Sequence, residues 1–146
     1  MTLEERLEHD TKEAMKAGDR LRTEALRFIR AALHNRAIEL KKKTMEDGEA
    51  LPVLMTLAKQ REESIAMFSK SNRKDLVDKE TKELAILKSY LPPAASNEEI
   101  LKAIDAALSE VGANMGPIMK KVTPQFAGRA DGKIISQLVK DRLQAK

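Results

Sequence analysis

Apolar residues return every three or four positions along almost the whole chain, the spacing that gathers them on one face of an α-helix. Leu3, Leu7, Ala14 and Met15 mark a first helix, opened by a Thr2/Glu5 capping box and broken at Gly18. From Asp19 a second runs through Leu21, Ala25, Phe28, Ile29, Ala32, Leu33 and Leu40 into the basic tail Lys41, Lys42, Lys43. After the turn "MEDGEA", a third carries Leu54, Leu57, Ala58, Ile65 and Phe68; its start falls near Asp47 or Ala50, with Pro52 in its first turns. Asn72 is expected to cap a fourth, with Leu76, Leu84, Leu87 and Leu91 inward.

"LPPAASN" then interrupts the pattern, because a proline disfavours helix in the residue before it. A second capping box, Ser96 with Glu99, opens a helix lined by Ile100, Ile104, Leu108 and Val111, which Gly112 should end in the left-handed conformation. A short helix from about Met115 to Thr123 is expected next, with Pro124 barring its extension. The last helix follows Asp131 and buries Ile134, Ile135, Leu138, Val139 and Leu143. No apolar/polar alternation persists long enough for a strand. The expected fold is all-α in two helical subdomains: an N-terminal four-helix unit, residues 1–92, and a C-terminal three-helix bundle, residues 93–146.

Composition agrees with helix-on-helix packing. Hydrophobic residues make up 42% of the 146 positions and aromatics only 3%, so the core must be aliphatic, with seven Met to help fill it. Cysteine is absent, which excludes disulfides, zinc thiolates and thiol catalysis and fits a reducing compartment. The acidic start "MTLEERLEHD" is unlike a secretory signal, and no apolar run approaches membrane-spanning length. A soluble cytoplasmic protein without membrane contact is expected.

The segment "GRADGKIISQLVKDRL", Gly128 to Leu143, poses the sharpest chemical question. A nucleotide P-loop needs G-x-x-x-x-G-K-[ST] between a strand and a helix. Gly128 and Gly132 are one residue too close, Ile134 stands where the hydroxyl is needed, and no strand precedes. The glycines and Asp131 instead read as a turn and a cap, leaving Arg129 and Lys133 beside a helix N-terminus whose free amides favour an anion.

Those residues carry a resemblance. "NRKDLVDKETKELAILKSYLPP" followed by "GRADGKIISQLVKDRL" resembles the GatB/YqeY family, and "LRFIRAALHNRAIEL" with "KQREESIAMF" is similar to the family's N-terminal half. The resemblance implies an all-α protein related to the tail of the GatB subunit of the glutamine-dependent aspartyl/glutamyl-tRNA amidotransferase, a tail that helps hold tRNA. It implies tRNA as a partner, and an aminoacyl-tRNA synthetase or an amidotransferase beside it. It also carries a label of carbon-nitrogen ligase activity with glutamine as amide donor, although free-standing members lack the catalytic domain. This chain departs from the commoner family pattern at Pro117 and "TPQF", which moves basic charge away from the turn.

For chemistry of its own the inventory is thin. His9 and His34, the two histidines, fit no metal-ligand spacing, no serine sits in a nucleophile elbow, and the Glu62, Glu63, Glu80 and Glu83 carboxylates suit ion pairs one turn apart. No catalytic residue, metal ligand or cofactor is expected. Cations are the better lead. Lys120, Lys121, Arg129, Lys133 and Lys140 make one expected RNA-contacting patch if the last two helices pack side by side. Arg20, Arg27, Arg30, His34 and Lys41 make a stripe on the second helix. The net charge of +4 is too small for long-range steering, and residues 93–146 hold eight basic against six acidic residues. Backbone contact is therefore expected in place of base reading, with Phe28, Phe68 and Phe126 expected to serve packing. An adaptor for a translation enzyme, built on the amphipathic four-helix half, is the alternative.

Overall fold

A computed structural model describes residues 1–145 and contains helices and turns with no strand among them. The chain forms two compact units, Met1–Leu91 and Pro92–Lys146. The first holds α1 (Leu3–Lys16), α2 (Arg20–Glu39), α3 (Asp47–Lys70) and α4 (Lys74–Lys88); the second holds α5 (Asn97–Val111), α6 (Met115–Val122), a 3₁₀ turn (Thr123–Phe126) and α7 (Gly132–Gln144).

Local chemistry sets the helix ends of the first unit. The Thr2 hydroxyl accepts from the Glu5 N–H at 3.2 Å, and the Thr2 N–H donates to Glu5 Oε2 at 3.3 Å. Asp19 caps α2 through Oδ1, which accepts from the Arg22 N–H at 3.1 Å. Three helices then exit the same way, with a left-handed residue after the cap: Gly18 (φ 71°), Lys41 (φ 58°) and Asn72 (φ 58°). In each, the next N–H reaches back five residues, from Asp19 to the Ala14 carbonyl (3.0 Å), Lys42 to Ala37 (2.9 Å) and Arg73 to Phe68 (3.1 Å).

Asn72 therefore closes α3 and does not cap α4, whose N-cap is Arg73. Asparagine suits both roles, and its tolerance of positive φ decided between them. α3 starts at Asp47, so Pro52 is its sixth residue and sits inside the helix, where it forfeits the bond to the Gly48 carbonyl. Asp47 Oδ1 accepts from the Leu3 N–H at 2.8 Å and Glu4 Oε1 from the Met45 N–H at 3.2 Å, tying the start of α3 to α1.

α3 packs chiefly on α4, and α1 on α2. Leu7, Leu26, Ile29, Leu33, Leu54 and Leu87 form the centre of an aliphatic core. At its edge, Arg61 of α3 pairs with Glu80 and Glu83 of α4 and lies 4.8 Å over the Phe28 ring. Phe28 is 49% exposed, Met15 53% and Met67 68%, against the expectation that such side chains fill the core.

The second unit buries Ile100, Ile104, Ala107, Ile118, Val122, Phe126, Ile135 and Val139. Ser96 caps α5, its hydroxyl accepting from the Glu99 N–H at 3.2 Å. The expected return bond of a capping box is missing, because the Glu99 carboxylate is taken by Arg129. Gly112 ends α5 at φ 82°, ψ −176°, an extended positive-φ state outside the left-handed helical region. α6 ends at Val122, within a residue of the expected Thr123 and ahead of Pro124. The chain tightens into the 3₁₀ turn with that proline near its start, where a missing N–H costs little. On α7, Ile135 and Val139 are buried, but Ile134 is 48% exposed.

Candidate nucleic-acid interface

The expected C-terminal patch divides into two kinds of cation. Arg129 leaves a turn in which Gly128 holds φ 77° and is committed inward. Its Nε donates to the Pro93 carbonyl at 3.1 Å, its Nη2 to Glu99 Oε2 at 2.8 Å, and its guanidinium lies 5.9 Å from the centroid of the Phe126 ring. The Ala95 N–H completes the clasp by donating to the Arg129 carbonyl at 2.9 Å. Arginine's planar fork suits this work, since one guanidinium meets a carbonyl, a carboxylate and a ring. The hydrogen bond from Arg129 holds the Glu99 carboxyl below its ordinary pKa. Lys121 is likewise spent, on Glu110 at the end of α5. Arg142, outside the expected patch, reaches Asp105 at 2.9 Å.

Lys120, Lys133 and Lys140 differ. All three are exposed and have no ion pair among the described residues. Lys133 and Lys140 are seven residues apart on α7, which sets them about 20° apart around the helix and away from Ile135 and Val139. Lys120 faces away from Ile118 and Val122 on α6. The Lys133 N–H donates to Asp131 Oδ1 at 3.1 Å, so one amide at the start of α7 is already capped.

On α2, Arg20, Arg27, Arg30 and His34 are exposed, and the three arginines have no ion pair among the described residues. Arg27 Nη2 lies 3.5 Å from Met15 Sδ. Lys41 falls outside the stripe, past the end of the helix in its left-handed turn. A fifth α2 cation escaped the sequence reading: Arg22 is half-buried, and its Nη2 donates to the Tyr90 hydroxyl at 3.3 Å. That hydroxyl donates to Asp10 Oδ2 at 2.5 Å, while the Arg6 guanidinium sits 5.1 Å from the ring centroid. Burial first, then the bond to Asp10, pushes the Tyr90 pKa up to about 12. Nothing in the local sequence announces this network, whose members lie 68 and 80 residues apart.

An apolar groove of about 540 Å³ separates α2 from α3, with Ala32, Leu40, Pro52, Val53 and Leu57 among its lining. Glu49 at its rim is closed by Lys42 at 2.7 Å, a bond that raises the lysine pKa and lowers the carboxyl's. The Thr56 hydroxyl there donates to the Pro52 carbonyl at 3.1 Å, an ordinary helix back-bond with no base beside it. Among the described residues no cluster of three His, Asp or Glu could hold a metal ion, and no helix is long and apolar enough to cross a membrane.

Among curated proteins the chain is similar to "Altered inheritance of mitochondria protein 41, mitochondrial" from three yeasts. The Kluyveromyces lactis protein is 34% identical over 131 residues, 88% of this chain and 69% of that protein. The Lachancea thermotolerans one is 36% identical over 107 residues, 72% and 57% of the two lengths. The Eremothecium gossypii one is 33% identical over 124 residues, 83% and 68%. The chain thus spans between 57% and 69% of these relatives' own lengths. The sequence profile of the YqeY-like proteins matches residues 4–143, through both helical units and every cation discussed above. The chain belongs to the YqeY-like protein family.

Proposed function

We propose that this chain is a tRNA-associated accessory module that contacts the RNA sugar-phosphate backbone and does no chemistry of its own. The observation that carries it is the set of exposed lysines on the second unit, Lys120, Lys133 and Lys140, which have no carboxylate partner among the described residues. Arg129 and Lys121, spent on Glu99 and Glu110, are assigned to holding α5 in place and not to phosphate contact. Family membership and the likeness of "GRADGKIISQLVKDRL" to the GatB tail support RNA as the polyanion. An amidotransferase or an aminoacyl-tRNA synthetase is the proposed companion.

Three neutralised phosphates give log affinity a slope of about −2 to −3 against log salt. Filter binding of tRNA at 20 to about 200 mM salt measures it, with micromolar affinity or weaker expected. Replacing the three lysines by glutamine should flatten the slope, whereas Arg129→Ala should leave it unchanged. No detectable binding at the lowest salt overturns the proposal. The curated relatives are mitochondrial by name. A cytoplasmic location is a proposal for this chain, which cell fractionation tests.

A further inference from the structure

The exposed face of α2 is not purely polar. Phe28 (49% exposed) and Ile38 (61%) flank the exposed Ala31. At 100° per residue the three fall within about 80° of one another, and ten residues at 1.5 Å each spread Phe28 and Ile38 over about 15 Å. α1 packs along α2 and adds Met15, 53% exposed, beside Arg27. An apolar ridge three turns long, interrupted by the exposed Asn35, thus stands on the surface of the first unit.

Phe28 is braced. Arg61 lies 4.8 Å from the ring centroid, with its side chain only 14% exposed, and is itself held by Glu80 and Glu83. A ring fixed from beneath loses little freedom when a partner covers it, which is the condition for an interface anchor. Along one edge of the ridge run Arg20, Arg27 and His34, with Arg30 beyond them; the acids near the ridge are Glu24 and Glu39, and Glu39 is paired with Arg36. The three arginines carry no ion pair among the described residues.

We infer that this face of α2 docks an acidic amphipathic helix of a protein partner, with apolar side chains about every three to four residues along three turns and Asp or Glu along the edge that meets the arginines. RNA fits less well, since Met15, Ala31 and Ile38 offer nothing to a phosphate. A second copy of this chain fits less well too. Its acidic helix, α1, already buries its apolar residues Leu3, Leu7 and Ala14. The inference does not depend on RNA binding by the second unit.

The probe is a synthetic 18-residue helical peptide with leucine at positions 4, 7, 11 and 14 and glutamate beside them, titrated into the isotopically labelled full chain by NMR. Shifts centred on Phe28, Ala31 and Ile38 are expected at tens to hundreds of micromolar peptide. Ile38→Ser should weaken binding at least tenfold and Arg27→Glu at least fivefold, with unchanged far-UV circular dichroism in both. A peptide of the same pattern with lysine for glutamate should bind at least tenfold less tightly. Equal binding of both peptides, no binding, or shifts elsewhere overturns the inference. So does a concentration-dependent dimer in sedimentation that buries Ile38, or tRNA shifting these amides when the acidic peptide does not.

Discussion

Tyr90 offers a clean test of how the first unit is held, because it is the chain's single tyrosine and tryptophan is absent. Tyr90→Phe keeps the ring over which Arg6 lies and removes the hydroxyl that joins Asp10 to Arg22. A hydrogen bond to a charged group contributes about 1.5–3 kcal/mol. The rise of its pKa from 10.0 to about 12 has burial as its first cause and measures the penalty on the phenolate, so it governs the pH dependence and not the size of the effect at pH 7. The hydroxyl is part-buried between two arginines and is partly screened, so about 1–2 kcal/mol is the working value. If Met1–Leu91 melts by itself, that is a fall in Tm of roughly 5–10 °C at pH 7.

The sign with pH follows from protonation. A phenol whose folded pKa lies above its unfolded value stabilises the fold while it keeps its proton. The contribution is complete below pH 10 and is lost as pH rises through about 12. Lysine deprotonation affects wild type and variant alike, so the difference between their stabilities isolates Tyr90. That difference should shrink from its full size at pH 9 towards zero near pH 12. Absorbance at 295 nm checks the pKa itself, near 10 for the denatured chain and about 12 when folded. A folded-state value near 10, or parallel loss of stability in both proteins from pH 9 to 12, refutes the reasoning.

Gly112→Ala forces a Cβ into φ 82°, ψ −176°, a conformation nearly exclusive to glycine, and should cost about 1–3 kcal/mol by urea denaturation of the second unit. For the clasp, a double-mutant cycle of Arg129→Met with Glu99→Gln should show favourable coupling at pH 7. Because Glu99 is held below its ordinary pKa, that coupling is present above the unfolded value of 4.5 and should fade as pH drops through the lower folded one; coupling that persists in acid contradicts the pair.

Helix existence was legible because it depends on patterns within a few residues. Capping by Thr2, Ser96 and Asp131 and the positive φ of Gly128 need only their own neighbours. Asn72 was misread because helix exit and helix entry favour the same residue, and only the Arg73 to Phe68 bond distinguishes them. Exposure of Phe28 and Ile134 was hidden for a different reason: periodicity gives a face, while the neighbouring helices decide how wide that face is. The partners of the basic residues were least legible. Arg129 and Glu99 are 30 residues apart in sequence, and their union depends on how α5 meets the turn before α7.

The three matching helix exits differ in what they cost the backbone. Glycine, asparagine and lysine occupy one geometry at Gly18, Asn72 and Lys41, in rising order of steric cost, with roughly 1–2 kcal/mol for an ordinary L-residue. The last turn of α2 therefore carries the largest backbone cost of the three exits. Leu40, which lines the groove between α2 and α3, precedes that left-handed lysine, so the cost is carried at one end of the groove.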